Sequence, residues 1–162
     1  MKIKYFLLFI LTITQLGCNT DDSIIFSESN FVGEWLLISA VTNRAVDYDF
    51  DGDSAFDILE DDNCFNIELL LNEDRTFKEV KIDRDFDNDI TLCLSSVIEG
   101  NWTLGEKKEK ILFEFTDSNG DVINTEYPFS ILGENSFIIK KEFIDNSGSF
   151  EAALRFSRIF TN

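Results

Sequence analysis

Histidine is absent from this chain, proline occurs once, and Lys and Arg number 14 against 31 Asp and Glu. Without histidine there is no imidazole base, no His-based catalytic triad and none of the usual zinc or copper ligand sets. The shortage of basic residues leaves a formal charge of −17. Such a surface repels phosphate backbones, which excludes nucleic acid as a partner, and it is a poor match for anionic lipid headgroups. It suits cations or basic partners instead. Long apolar runs are also missing. The nearest to one, Tyr5–Thr14, is too short for a membrane-spanning helix, which takes about 20 residues.

That run has a different logic. Lys2 and Lys4 precede it, and Gln15-Leu16-Gly17-Cys18 follows, with a small residue just before a cysteine. A basic start, a short apolar stretch and a small-residue cleavage point make a secretory signal. The segment resembles the lipobox of bacterial lipoproteins, departing from it at Gln15, where the family carries an aliphatic residue. The resemblance implies lipidation of Cys18 and removal of residues 1–17. An ordinary secretory signal would instead leave Cys18 as a spare thiol. Several acyl chains make a stable anchor, each buried methylene adding about 0.8 kcal/mol. Asn19-Thr20-Asp21-Asp22 then resembles the acidic export tag of surface lipoproteins, or is a solvated linker. The expected location is the bacterial outer membrane, lipid-anchored, on its periplasmic side or the cell surface.

Losing a leader with two lysines and no acids takes the charge from −17 to −19. What remains is one domain's worth of chain, with 17 Phe and two Trp for a core. With Cys18 assigned to lipid, Cys64 and Cys93 are an even remainder in an oxidising compartment, which reads as one disulfide.

Beyond the leader the sequence offers no convincing helix. Trp35–Val41 could be argued as one, but its β-branched and aromatic content favours a strand. Period-two runs follow, separated by turn residues. Phe65, Ile67, Leu69 and Leu71 share a face, with Leu70 an exception on the other. Ile90, Leu92, Leu94, Ile98, Trp102 and Leu104 share another. Ile111, Phe113 and Phe115 alternate, and Tyr127, Phe129 and Ile131 line a further strand. Turns are expected at Asn72-Glu73-Asp74-Arg75, Ser118-Asn119-Gly120-Asp121, Gly133-Glu134-Asn135 and Asp145-Asn146-Ser147-Gly148. Pro128, inside a strand run, marks an edge or a bulge. About eight strands of this kind predict an all-β, antiparallel up-and-down barrel, closed or nearly so, with a two-sheet sandwich as the alternative.

Phe31-Val32-Gly33-Glu34-Trp35 opens the first strand, and Gly100-Asn101-Trp102 repeats the Gly-x-Trp pattern. The residues from Phe31 to Phe160 resemble the lipocalin-like lipoproteins of bacteria. The resemblance implies that Trp35 closes the barrel floor, that Gly33 belongs to its fingerprint, and that Arg158 on the last strand packs over the Trp. It divides the chain into a signal (1–17), a lipidated acidic linker (18–29) and a lipocalin-like barrel (30–162). It also implies an apolar cavity at the barrel mouth. Eight strands leave an interior that side chains fill or that holds one small ligand.

Asp47–Asp62 carries eight acids and no base. Asp49, Asp51, Asp53 and Asp57 stand at relative positions 1, 3, 5 and 9, a spacing that resembles the calcium loops of integrin-type repeats. Calcium takes six to eight oxygens in a flexible shell. Ser54 departs from the pattern, where those loops carry a second glycine. Asp85-Phe86-Asp87-Asn88-Asp89 echoes the first five residues but has Cys93 at the ninth place. The alternative is two solvated acidic loops.

No histidine, free cysteine or Ser-Lys constellation offers a nucleophile or base, so the chain reads as no enzyme. It reads as a monomeric, lipid-anchored binding or interaction module for a small apolar ligand or an envelope protein, with calcium as its candidate ion. The alternatives are a structural surface protein with a filled core and, further off, a metal-assisted hydrolase.

Overall fold

A computed structural model of the chain describes residues 27–85, 89–145 and 148–160. The leader, Cys18 and the acidic segment 19–22 lie outside the described residues, as do Phe86, Asp87 and Asn88 of the second acidic loop.

Nine strands form one antiparallel sheet: β1 (Gly33–Val46), β2 (Ala55–Asp57), β3 (Asn66–Leu71), β4 (Thr76–Asp85), β5 (Asp89–Leu104), β6 (Lys110–Thr116), β7 (Val122–Ile131), β8 (Ser136–Asp145) and β9 (Gly148–Arg158). The hydrogen-bonded order runs from β1 through β3 to β9 in sequence, and β9 pairs back onto β1. Eight strands therefore close into an up-and-down barrel, as the alternation predicts, and β2 is an extra strand paired to the later half of β1, on the edge that β3 takes at its start. One helical turn, α1 (Ile58–Asp61), follows β2. It was not expected, and it exists because Asp57 caps it by accepting from the Leu59 N–H at 3.1 Å.

β1 changes face midway. Trp35 and Leu37 are buried, then Ala40, Thr42 and Val46. The register against β9 slips between Leu37 and Ser39. This bulge moves the buried set from odd to even positions and turns Ile38 out to solvent.

The floor of the barrel is the end where β1 starts. A 3-10 turn (Glu28–Asn30) crosses it, and Phe31 plugs it. The Phe31 ring meets Phe129 edge-on at 4.9 Å and Phe137 at 5.4 Å, and Trp35 meets Phe137 at 4.7 Å. Arg75 holds the 3-10 turn to the β3–β4 turn through Glu28 at 2.9 Å. Gly100 is required where β5 crosses β6: a Cβ there would lie 2.1 Å from the Glu114 carbonyl oxygen.

At the other end the strands splay. β5 pairs with β6 only over Gly100–Leu104, while its earlier half pairs with β4 alone. Leu94 keeps the inward face of Ile98 and Trp102 in an unbroken register, yet it is half-exposed, as is Leu92. Sharing a face with Ile98 does not bury Leu94, because this part of β5 overhangs the barrel beyond the β6 pairing. β7 and β8 also part. Their register covers only Phe129–Ile131 against Phe137–Ile139. Phe129 donates to Glu109 on the β6 side. Antiparallel alternation turns the Pro128 nitrogen toward β8, where it has no hydrogen to give. The ladder ends there, so Pro128 sits at an internal seam of the closed sheet.

Cys64, just before β3, is bonded to Cys93 on β5, with the Cα atoms 5.4 Å apart and a sequence separation of 29. Closing a loop of that size removes chain entropy from the unfolded state worth about 3.5 kcal/mol. Cys93 is exposed, so a reductant can reach it. Replacing both cysteines by alanine should lower the unfolding free energy by about 2–4 kcal/mol in urea titrations. Reduction of the wild type should produce a loss of the same sign.

Candidate functional site

Three regions hold the residues singled out from the sequence: the floor, the long loop between β1 and β3, and the mouth.

On the floor, Trp35 and Arg158 are direct cross-strand partners. The Arg158 guanidinium carbon lies 4.6 Å from the Trp35 ring centre, and one terminal nitrogen donates to the Asn30 carbonyl at 2.6 Å. The Trp35 indole donates to Phe31 O at 2.7 Å. Gly33 has φ +140°, and a Cβ there would stand 3.7 Å from the guanidinium. Arg158 Nε is buried without a hydrogen-bond partner, and a cavity of about 170 Å³ lies beside Phe31, Trp35 and Phe137 at this end.

In the first loop the structure regroups the acids. Asp57 is committed to the backbone and to Ser39: its oxygens accept from the Ala40 N–H and the Ser39 hydroxyl, each at 2.8 Å. Asp51 and Asp53 are exposed, and Asp51 accepts from the Asp53 N–H at 2.9 Å. Asp49 is buried and takes an Arg84 nitrogen at 2.8 Å. The same guanidinium reaches the fully buried Asp62 at 2.8 Å. Arg84 thus serves two carboxylates, and one Asp62 oxygen remains buried without a hydrogen-bond partner. Removing the cation from such a group typically costs 3–5 kcal/mol.

The carboxylates that do converge are Asp47, Asp49 and Asp61, whose oxygens lie within 4.8 Å of one another. Of the sequence-predicted set Asp49, Asp51, Asp53 and Asp57, only Asp49 belongs to this group. One Asp47 oxygen is buried without a partner, while the other accepts from the Gly52 N–H at 3.1 Å. Asp61 accepts from the Tyr48 N–H at 2.5 Å. Burial raises the Asp61 pKa, the charges of Asp49 and Asp47 add to this, and the N–H groups of Tyr48 and Asp49 oppose it. Three hard oxygens in a bent loop are a fragment of a calcium shell. Glycine at 52 and the positive φ of Phe50 (61°) and Gly52 (98°) were legible as a turn. The bend that brings Asp61 back was not, because α1 had not been foreseen.

At the mouth, cross-strand register places charged residues on the inner wall. Ile67 and Leu69 are buried, and their partners on β4 are Lys81 and Glu79. Lys81 is ion-paired with Asp83 and stands 5.6 Å from the Phe65 ring centre. Tyr48 donates to Asp83 at 3.2 Å, and burial first, then the Asp83 charge, raises the pKa of its hydroxyl. On β8, Lys141 lies between the inward-facing Ile139 and Phe143, opposite the buried Ala152. Its nitrogen is 5.6 Å from the ring centres of both Tyr127 and Phe143. Sequence reasoning missed Glu79, Lys81 and Lys141, although the parity of Phe77, Glu79 and Lys81 was there to be counted. Phe65, Phe143 and Phe150 fill the mouth toward β8 and β9. Toward β5, β6 and β7, the inward Ile98, Phe115 and Ile123 stay partly exposed beside Leu94. A cleft of about 740 Å³ on the outer face of β5–β7 is lined by Trp102, Leu112 and Phe113 as well as by Asn101, Thr103, Glu114, Asn124 and Glu126.

The chain is thus a closed antiparallel barrel with Phe31 buried across its floor. No protein-family model and no curated protein matches it. Among solved structures it is similar to a bovine odorant binding protein complexed with its natural ligand, at 11% identity, over 85% of this chain and 76% of that one, with a TM-score of 0.46. It is also similar to a lipocalin-like protein from Bacteroides uniformis, at 14% identity, over 80% of this chain and 99% of that one, with a TM-score of 0.42. Likenesses this distant carry no argument about function, and the barrel rests on its own strand pairing.

The raised Asp61 pKa has a sign that can be measured. A carboxylate whose folded pKa exceeds its unfolded value binds more protons folded, so it makes stability fall as pH rises through that interval. Asp61→Asn keeps an oxygen for the Tyr48 N–H and removes the charge. In chelator-containing buffer it should raise the denaturation midpoint at pH 7, and the gain should vanish as pH falls below the ordinary carboxylate range. An unchanged difference across pH would show that Asp61 does not carry the repulsion.

Proposed function

We propose that this chain is a lipid-anchored lipoprotein of the bacterial cell envelope, whose lipocalin-like barrel is a binding module for a small apolar ligand, with calcium stiffening the first loop. One observation carries the binding reading: apolar side chains of β5, β6 and β7 face inward at the mouth and are still partly exposed, while the floor is plugged. A barrel built only as a structural support has no use for that wall. The anchor is supported by the order Lys2, Lys4, the apolar run to Thr14 and Gly17-Cys18. Calcium is supported by the convergence of Asp47, Asp49 and Asp61 and by the unpartnered oxygen of Asp47.

The membrane fraction of cells should incorporate labelled palmitate into the wild-type chain and not into Cys18→Ser. The exported Cys18→Ser chain should enhance the fluorescence of a neutral naphthylamine probe in a saturable, one-to-one manner. A filled barrel would give no saturable signal, and the structural reading would replace the binding one.

Calcium has its own measurement. Millimolar calcium should raise the unfolding temperature over that in chelator through linkage to the native state. The rise should disappear in Asp61→Asn. Equal temperatures in both buffers would remove the ion from the proposal.

A further inference from the structure

The free edge of β5 is a feature that the ligand and ion readings do not use. β6 pairs with β5 only over Gly100–Leu104, and β4 occupies the other side of the strand. From Leu92 to Ile98 one edge of β5 therefore meets no strand among the described residues. Such an edge offers a row of backbone N–H and C=O groups to any extended chain, and folds blunt it with charged side chains or proline. The two edges that part above the β7–β8 ladder are blunted in this way. Glu126 and Pro128 stand on β7, and Lys140, Lys141, Glu142 and Asp145 stand on β8. The stretch Leu92–Ile98 contains no charged residue and no proline. Leu92, Leu94 and Val97 are half-exposed along it, three apolar side chains left in water on an unprotected edge.

We propose that this edge pairs with the same edge of a second copy of the chain, antiparallel and across a two-fold axis, in place of the monomer expected from the sequence. Charge selects a copy at this place. At −17 the chain repels its own kind over most of its surface. The wall behind this edge is an exception, because β4 carries Lys78, Lys81 and Arg84 against Glu79, Asp83 and Asp85, three bases to three acids. Glu99, just past the stretch, is held 3.6 Å from Lys78. A second copy approaches here without meeting the acid excess. Symmetry selects it as well. A two-fold axis at Ser95 sets Leu92 opposite Ile98 and Leu94 opposite Ser96, so each strand offers the other the same residues. Leu92 and Ile98 share a face by parity, so the cross-strand pair they form is apolar on both sides. The contact covers leucines that the barrel's own strands leave exposed, and it carries one sheet across two barrels. It depends on neither the ligand nor the calcium reading.

The test is sedimentation equilibrium of the exported Cys18→Ser chain, loaded from micromolar to near-millimolar. A monomer–dimer equilibrium is expected. Its dissociation constant should fall about tenfold between low and molar sodium chloride, as screening removes the repulsion between two acidic copies. Ser95 is exposed and lies at the axis, so Ser95→Lys and Ser95→Glu should each fold with unchanged circular dichroism. Each alone should be monomeric, because like charges then stand directly opposite one another. An equal mixture of the two should pair again. Amide exchange in the wild type should slow at residues 92–98 as loading rises, which reads the same contact without a substitution. A dimer that survives both substitutions, or a mixture of the two that stays monomeric, overturns the proposal. A wild type that is monomeric at every loading and salt concentration also overturns it, and leaves the edge to an extended segment of another protein.

Discussion

The pairing of β9 back onto β1 is the constraint on which everything else in this molecule depends. Without it the sheet would have two long edges, and the apolar face of each strand would have nothing to cover it. With it, one continuous ring of strands encloses a single core. The join is made where Trp35 meets Arg158. There one guanidinium covers the indole, reaches the Asn30 carbonyl and passes close to Gly33. A side chain at residue 33 would need a disfavoured φ of +140°, although a Cβ there would only touch the guanidinium. The Gly-x-Trp pattern is thus a consequence of closure: it places a flat aromatic face under a cation and leaves space for the cation to lie there. The second Gly-x-Trp has a different cause, the close crossing of β5 and β6 at Gly100.

The excess of acid creates the second problem, and the first loop is where it is concentrated. The fold does not leave all these carboxylates in water. Asp49 and Asp62 are drawn inward by one guanidinium, and Asp57 is used as a staple between the loop and β1. The Cys64–Cys93 bond fixes the end of the same loop to β5, near Arg84 on the intervening strand. A tether and a buried ion pair hold this loop against the barrel alongside the fully buried Ile58. Its stability should therefore depend on redox state and pH more than that of the floor does, where aromatic packing is insensitive to both.

The sequence was most readable where one period ran unbroken. Phe65, Ile67, Leu69 and Leu71 alternate and are buried as counted, and the turns at Gly120 and Gly133 fall where positive φ is needed. It was least readable where geometry breaks the period. Trp35, Leu37, Ala40 and Val46 are spaced unevenly because a bulge shifts the face of β1, which is why that stretch could be argued as a helix. Leu92 and Leu94 count as core by parity, but parity says nothing about whether a neighbouring strand extends far enough to cover them. The acid cluster was misassembled for a related reason. Spacing predicts convergence only within a local loop, and Asp61 arrives from a helical turn 12 residues after Asp49.

The two ends of the barrel follow from one difference in side-chain supply. At the floor, Phe31, Trp35, Phe129 and Phe137 meet at ring contacts of 4.7–5.4 Å, and every strand pair is in register. At the mouth the chain places Glu79, Lys81, Asp83 and Lys141 at inward positions, where ammonium and carboxylate groups cannot close-pack as rings do. Pro128 then withholds the hydrogen bond that would have carried the β7–β8 ladder upward. Charged inward residues and a missing donor both keep that end from collapsing. Apolar residues at those positions would remove that obstacle to close packing. Cores of similar volume accept such replacements readily and are often more stable for them. The interior charges of this barrel therefore carry a cost in stability that apolar residues at the same positions would not.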